Sequence, residues 1–161
     1  MNIFVLDKDI KQSAKAHCNP HVVKMPLETA QLLCTARHEL GEGADTIPYR
    51  KTHINHPCSI WARESLHNYV WLCKFGFELC IEYTHRYGKV HKCQAVIDNC
   101  LLNTPKIASF KSIHKTQHPQ AMPDEYKTDD AVSAYRSYYI NDKSHLLKYT
   151  NRNKPDWIVN A

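Results

Sequence analysis

One segment of the sequence, residues 58–87, stays apolar on most sides of a helical projection over nearly its whole length. A helix of that kind needs other parts of the chain around it, so the segment predicts a central buried helix. Gly76 is placed to bend this helix, and Gly88 is placed to end it, since glycine readily closes a last helical turn. Residues 20–37 are also apolar around most of their girth. We therefore predict a mainly α fold, a single compact helical domain over residues 1–161 built on two long buried helices that pack together.

The amino-acid composition argues against some classes of fold and some kinds of binding site. The 161 residues include only 4 glycines, which argues against a turn-rich all-β fold and against a glycine-rich phosphate loop. The net charge of +5 is compatible with nucleic-acid binding, although the basic residues are spread along the chain. The first residues lack a signal-peptide pattern, no window is apolar enough to span a membrane, and the 7 cysteines are typical of reduced thiols. We therefore expect a cytoplasmic protein.

Prolines and capping residues predict where the helices begin. Asn19-Pro20 is a strong helix start, with Asn19 as the N-cap and Pro20 in the first turn. Pro26 should kink the following helix or restart it. The other predicted elements are a loop at 41–57, a helix at 91–103, an ordered loop at 104–127 and a helix at 128–150, followed by a tail that docks Trp157 on the core.

A polar stripe interrupts the apolar surface of the helix predicted at residues 20–37. At about 100° per residue, six side chains fall within roughly 80° of arc. They are His17, His21, Lys24, Glu28, Gln31 and Thr35. His, Lys and Glu on one helix face suit proton transfer or carbonyl chemistry in a cleft. We predict a functional cleft lined by His17, His21, Lys24 and Glu28. The alternative is a partly exposed face with an ordinary Lys–Glu pair, and His17 belongs to the stripe only if the helix runs through Asn19-Pro20.

Basic residues at two other places are candidates for contacts with DNA. The first group lies around the predicted N-terminus of the long helix and comprises Arg50, Lys51, His53, His56 and Arg63. A helix N-terminus attracts phosphate, which favours an anion site there. Arg136 and Arg152 interleave with aromatic residues near the C-terminus, a pattern that suits phosphates and stacked bases. The structural alternatives are loop capping for the first group and core packing for the second.

The 11 histidines raise the question of a metal site. His and Cys residues are neighbours at 53–58, 85–93 and 114–118, but none of these groups has the spacing of a zinc motif. We expect no metal and no cofactor. A His-rich metal-dependent nuclease remains an alternative.

Two segments carry a family resemblance: HVVKMPLETAQLLCTAR at residues 21–37, and residues 55–88, which open with NHPCSIW. The first is similar to the first long helix of the phage pyrimidine-dimer DNA glycosylase (endonuclease V) family. The second is similar to the opening and long helix of its small bacterial relatives. The resemblance implies that Glu28 is the catalytic glutamate, that His21 is the histidine before it, and that Arg37 is a later arginine at the DNA. The overall pattern also resembles hypothetical proteins conserved among phages, which would place the chain in the host cytoplasm.

The resemblance also implies a mechanism. The family is all-helical, flips a base opposite the lesion and attacks the sugar C1′ with its N-terminal α-amine, assisted by a carboxylate. The family exposes that amine by removing the initiator methionine before a small residue. Here Asn2 is too large for that removal, so we expect Met1 to stay. The family also carries arginines beside the glutamate, whereas Leu27 and Gln31 stand here. The nucleophile is then the Met1 amine, which we favour, or Lys24. The alternative is that the dimer activity is absent and that the substrate is another modified base or nucleotide.

We therefore predict a DNA-base-processing enzyme, a glycosylase or glycosylase/AP-lyase that acts on damaged or modified pyrimidines. Its predicted catalytic residues are Met1, His21, Lys24 and Glu28, its partner is DNA, and no membrane association is expected. One alternative is a catalytically silent nucleic-acid-binding or host-interaction phage protein with the same fold. The other is the metal-dependent nuclease.

Overall fold

The computed structural model describes residues 1–158, and six α-helices lie in that range. They are α1 (Ile10–Lys15), α2 (Asn19–Glu39), α3 (Pro57–Glu64), α4 (Leu66–Tyr87), α5 (Gln94–Leu102) and α6 (Ala131–Asn141). Within the described range no β-strand forms, and one isolated parallel bridge joins Ser65 to Ser112. The predicted mainly α fold is confirmed.

The two long helices, α2 and α4, pack against each other in the core, as the sequence predicts. The shorter α3 and α5 pack against both of them, and α1 lies against α4. Buried apolar side chains from all these helices belong to one connected cluster, which also takes in the extended segment at residues 3–6. No helix of residues 1–158 is long and apolar enough to cross a membrane.

Gly76 marks the closest approach of α4 to α2. A Cβ atom there would lie 2.6 Å from Thr29 Cγ2 and 3.0 Å from Ile97 Cδ1, so a larger residue does not fit without movement. The sequence predicts a bend at Gly76, but the structure gives this glycine a packing role. Gly88 follows α4 with φ of 64°, which confirms that it ends the helix.

The helix predicted at 58–87 is not continuous, because the chain is extended at Ser65. The Ser65 hydroxyl accepts a hydrogen bond from the Asn68 N–H at 3.1 Å and so caps α4. The freed N–H of Leu66 donates to the Ser112 carbonyl at 3.0 Å. Serine offers the backbone this alternative to a helical bond, which is why an uninterrupted apolar pattern still breaks here.

The start of α2 differs by one residue from the prediction. Cys18 is the N-cap, and Asn19 is already helical, with Pro20 in the first turn as predicted. The Asn19 side chain instead accepts hydrogen bonds from the Thr150 N–H and from Arg86. The helix then runs through Pro26 to Glu39, so Pro26 does not restart it, and the alternative of a kink stays a prediction.

The C-terminal third contains less helix than the pattern predicts. The last helix, α6, ends at Asn141 rather than near residue 150, and a short 3-10 turn, Ser144–Leu146, follows it. The predicted loop at 104–127 is confirmed and contains two further 3-10 turns. Trp157 packs on Tyr139, with ring centroids 6.3 Å apart, so the predicted docking of the tail is confirmed.

Candidate active site

The first residues of the chain lie against Glu28, near the middle of α2. The Asn2 backbone N–H donates a hydrogen bond of 2.8 Å to Glu28 Oε2. The α-amine of Met1 lies 3.8 Å from the same oxygen. The segment that follows, residues 3–6, is buried and extended, so it fixes the path of the chain beside α2. The fold therefore brings the amine and the carboxylate together, although 27 positions separate Met1 from Glu28.

The second carboxylate oxygen of Glu28 forms an ion pair with a lysine. Lys24 Nζ lies 3.2 Å from Glu28 Oε1, one helical turn away. The Lys24 side chain is 65% exposed, whereas Glu28 is buried. An amide N–H and two amino groups thus lie around the buried carboxylate and supply partners for both of its oxygens. A carboxylate beside an amine is suited to proton transfer.

The side chain of Met1 is more deeply buried than the residue as a whole. Its side chain is only 3% exposed and packs against the hydrophobic core. The residue as a whole is nevertheless half-buried. The exposed surface of Met1 therefore belongs to its main-chain atoms, which include the α-amine. The side chain therefore anchors the residue, while part of its main chain reaches the surface.

The polar stripe predicted on α2 does not line a cleft in the predicted way. His17 precedes α2, is fully buried and has its Nδ1 2.8 Å from the Ser13 carbonyl. Burial lowers the pKa of His17 to about 3. The exposed positions of α2 near Glu28 are Val23, Lys24 and Leu27. The prediction of a cleft lined by His17 and His21 is therefore wrong, because those rings point into the core.

His21 lies in the buried layer beneath the site. Its ring stacks on Phe4, with centroids 4.5 Å apart, and its Nδ1 is hydrogen-bonded to the Tyr139 hydroxyl. Burial, together with the nearby charges of Lys143 and Lys24, lowers the pKa of His21 to about 4. A neutral, buried ring suits the support of the extended segment better than it suits proton transfer to DNA.

The N-terminus of α3 adjoins the amine. His56 is the N-cap of α3, and its Nδ1 accepts the Cys58 N–H at 3.2 Å. Burial and the charge of the Met1 amine lower the pKa of His56. The buried Cys58 thiol lies 3.9 Å from Asn2 Oδ1, and burial raises its pKa to about 12, so Cys58 is a thiol and not a nucleophile.

The predicted DNA-contacting residues near α3 remain available to different degrees. Arg50, Lys51 and His53 are exposed, and Lys51 pairs with Glu39 at 3.3 Å. Arg63 is half-buried and donates to the Ile54 carbonyl at 2.7 Å.

The other three arginines are engaged inside the protein. Arg37 is 1% exposed and donates to Asn99 at 2.9 Å, so the prediction that it contacts DNA is wrong for this structure. Arg136 donates to the Leu6 carbonyl and to Asp7, and Arg152 pairs with Glu82 through two nitrogens. These guanidinium groups hold the N-terminal segment and the C-terminal tail, because buried carbonyls and carboxylates need donors.

Metal ligands are not grouped in the described part of the chain. Among residues 1–158, no three or more His, Cys, Asp or Glu side chains come together in a way that could hold a metal ion. The metal-nuclease alternative therefore has no candidate centre there.

The family model of the pyrimidine dimer DNA glycosylases matches residues 1–95. The chain belongs to this family. The matched range contains the Met1 amine, Glu28, α3 and α4, and thus the whole arrangement described above apart from its C-terminal supports. A pyrimidine dimer DNA glycosylase activity, with DNA as substrate, is what the family supports for this chain. No curated protein and no solved structure matches it.

Sequence reasoning named Glu28, Lys24 and Met1, which the structure brings together, but missed the residues that fix Asn2. Tyr135 of α6 donates to Asn2 Oδ1 at 2.7 Å, and the Ala121 carbonyl accepts from Asn2 Nδ2 at 2.9 Å. The spacing of Tyr135 and Tyr139 predicts core residues, which their burial confirms. A buried tyrosine hydroxyl needs a partner, but nothing in the local sequence indicates that the partner lies at residue 2.

Proposed function

We propose that the chain is a pyrimidine-dimer glycosylase and AP lyase in which the Met1 α-amine is the nucleophile and Glu28 moves the protons. One observation carries this proposal: the α-amine of Met1 lies 3.8 Å from the carboxylate of Glu28. A nucleophile held beside a base is the arrangement that covalent catalysis requires.

The proposed reaction proceeds through an imine. The neutral amine attacks C1′, and the glycosidic bond breaks as the base departs with the bonding electron pair and takes a proton from water. Glu28 passes a proton from the α-nitrogen to the ring oxygen O4′, the C1′–O4′ bond breaks, and an imine then joins the α-nitrogen to C1′. Glu28 takes the proton from C2′, the C3′–oxygen bond breaks, and the 3′ phosphate leaves by β-elimination. Hydrolysis of the imine then releases the amine.

The Met1 amine is the better nucleophile of the two candidates. The Lys24 side chain is 65% exposed, whereas the Met1 side chain is buried and fixes the position of its amine. Ordinary α-amines have a pKa near 8 and ordinary lysines one near 10.4, so α-amines are far more often neutral near pH 7. We therefore assign Lys24 a role in binding phosphate and in shaping the charge of Glu28.

The proposed DNA surface extends from Lys24 to α3. It comprises Lys24, the residues that lead into α3, namely Arg50, Lys51, His53 and His56, and Arg63 in the last turn of α3. Exposed cations around a helix N-terminus neutralise phosphates. His21 has a supporting role in this proposal, since it is buried against Phe4 and Tyr139.

Incision of a duplex that carries a single thymine dimer tests the proposal. Wild-type protein should cut the damaged strand, also in the presence of EDTA, and Glu28→Gln should lose the activity because it removes the proton acceptor and keeps the shape. The matched control is Glu39→Gln on the same helix, where the carboxylate pairs with Lys51 at the surface. Binding without incision by wild-type protein would favour the silent DNA-binding alternative, and incision that EDTA abolishes would favour the metal nuclease. Full activity of Glu28→Gln would exclude this site.

A further inference from the structure

The side chain of Asn2 takes part in a closed ring of hydrogen bonds. Asn2 Nδ2 donates to the Ala121 carbonyl at 2.9 Å, and the Ala121 N–H donates to the Tyr135 hydroxyl at 3.2 Å. The Tyr135 hydroxyl donates to Asn2 Oδ1 at 2.7 Å, which closes the ring. Tyr135 and Ala121 lie outside residues 1–95, the range that matches the family.

Tyr135 is suited to act as a fixed donor in this ring. Its side chain is fully buried, and burial raises the pKa of the hydroxyl well above the ordinary value, so it keeps its proton. The Pro119 carbonyl, at 2.8 Å, is a second possible acceptor for that single proton. With either acceptor the oxygen stays between the loop at 119–121 and Asn2.

The ring sets the position of the reactive atoms. It holds the side chain of Asn2, while the backbone N–H of the same residue is bonded to Glu28. The preceding residue then has little freedom, because the Met1 side chain is also buried in the core. These contacts hold the α-amine 3.8 Å from the Glu28 carboxylate. An asparagine at position 2 thus has a use that a small residue could not serve.

We propose that Asn2 and Tyr135 are positioning residues that hold the Met1 α-amine at Glu28, and that Met1 is retained as a structural part of the site. This inference rests on the proposed function for its catalytic meaning. The placement of the amine is a claim about the free protein and can be tested without DNA.

The test with DNA uses Tyr135→Phe, Asn2→Ala and the double variant. Single-turnover borohydride trapping on a duplex with one abasic site should slow by about tenfold in each single variant, since a small displacement of reacting groups is costly. DNA affinity should not change. The double variant should be no slower than Asn2→Ala, because both substitutions open the same ring. Trapping at the wild-type rate in Tyr135→Phe, or effects that multiply in the double variant, would overturn the proposal.

The matched control is Tyr149→Phe. That tyrosine is also largely removed from solvent, and its hydroxyl donates to the Ala16 carbonyl at 3.0 Å. Loss of one hydroxyl should affect stability similarly in both variants, and circular dichroism verifies that each is folded. Trapping should remain at the wild-type rate in Tyr149→Phe. If Tyr149→Phe slows trapping as much as Tyr135→Phe does, Tyr135 only stabilises the fold, and its assignment as a positioning residue is overturned.

The test without DNA measures reductive methylation by formaldehyde and cyanoborohydride at pH 7, with the label mapped by mass spectrometry. The Glu28 carboxylate, 3.8 Å away, and the buried Met1 side chain restrict the approach of a reagent to the amine. Residue 1 should therefore label several-fold faster in Tyr135→Phe and Asn2→Ala than in wild type, with no change at exposed Lys106. If wild-type protein forms no covalent adduct with DNA, the proposed function fails. The labelling rates still decide whether Asn2 and Tyr135 hold the amine. Equal labelling of residue 1 in all variants would show that the ring does not hold the amine.

Discussion

At the scale of single residues, the main feature of the molecule is the separation of charged and neutral groups around the chain start. Glu28 is buried beside one amide donor and two amino groups, while His17 and His21 are buried as neutral rings. The sequence places Lys24 and Glu28 on one helix face, and the structure confirms their contact. It also adds Asn2, whose role depends on contacts more than 100 positions away.

We expect Lys24→Met to keep the covalent chemistry. Removing this exposed ammonium leaves the Met1 amine and Glu28 in place, so borohydride trapping should persist and the label should remain on residue 1. DNA affinity should fall moderately, because one cation is lost. Lys24→Arg, which keeps the charge, should restore affinity. Loss of trapping in both variants would move the nucleophile to Lys24.

Buried histidines predict how stability depends on pH. Burial lowers the pKa of His17 and His118 to about 3 and that of His21 to about 4, from an ordinary value of 6.5. Below pH 6.5 these histidines bind protons in the unfolded chain but stay neutral in the folded chain. The free energy of unfolding should therefore decrease as the pH falls from 6.5 to 5, by up to about 1.4 kcal/mol per pH unit for each ring. Urea denaturation at several pH values measures this.

His118→Phe isolates one of these contributions. Neither ring nitrogen of His118 has a hydrogen-bond partner in the described part of the chain, and the ring packs on Trp61 and Trp71. Phenylalanine should keep that packing and make the pH dependence shallower. The exposed His114→Gln is the control and should leave it unchanged. A pH profile identical to wild type in His118→Phe would contradict the account.

At the scale of elements, helix pairing depends on positions that a hydrophobic pattern does not identify. The pattern predicts α2 and α4 and their contact, because apolar girth reports burial. It does not predict the break at Ser65, which arises from a side-chain cap and from the loop at residue 112. It also assigns Gly76 to a bend, since only the three-dimensional structure shows Thr29 opposite it.

Gly76→Ala tests the close contact between α2 and α4. The added Cβ would meet Thr29 Cγ2 at 2.6 Å, so the helices must shift. Overpacking of this kind typically costs about 1–3 kcal/mol, which outweighs the better helix propensity of alanine. Gly43→Ala is the control, because nothing lies within 4 Å of its added Cβ. Thermal unfolding compares the two, and a Gly76→Ala protein as stable as wild type would exclude the tight contact.

At the scale of the whole molecule, the N-terminal half contains the proposed site, and residues of the C-terminal third hold Asn2 beside it. The fold class and Glu28 could be predicted because they depend on local periodicity and on a family resemblance. The contacts that Arg37, Arg136 and Arg152 make within the protein could not be predicted. A sequence does not distinguish a cation on the surface from one that satisfies a buried acceptor. Their engagement leaves Arg50 and its neighbours as the proposed DNA surface.

The salt dependence of DNA binding tests that surface. Affinity for duplex DNA should fall steeply as salt rises from about 50 to 200 mM, and Arg50→Gln should reduce the slope by about 0.9 if it neutralises one phosphate. Lys127→Gln removes the same charge at a lysine that is paired with Asp124 and should leave the slope unchanged. Equal slopes for wild type and Arg50→Gln would place the DNA elsewhere.

The most direct test of the central claim is the identity of the residue that becomes covalently bound to DNA. Wild-type protein is incubated with a thymine-dimer duplex and borohydride, digested, and the cross-linked peptide is sequenced by mass spectrometry. We expect the adduct on the α-nitrogen of Met1 and none with Glu28→Gln, because amine and carboxylate act together. An adduct on any lysine, or no adduct on dimer-containing and abasic DNA alike, would contradict the account.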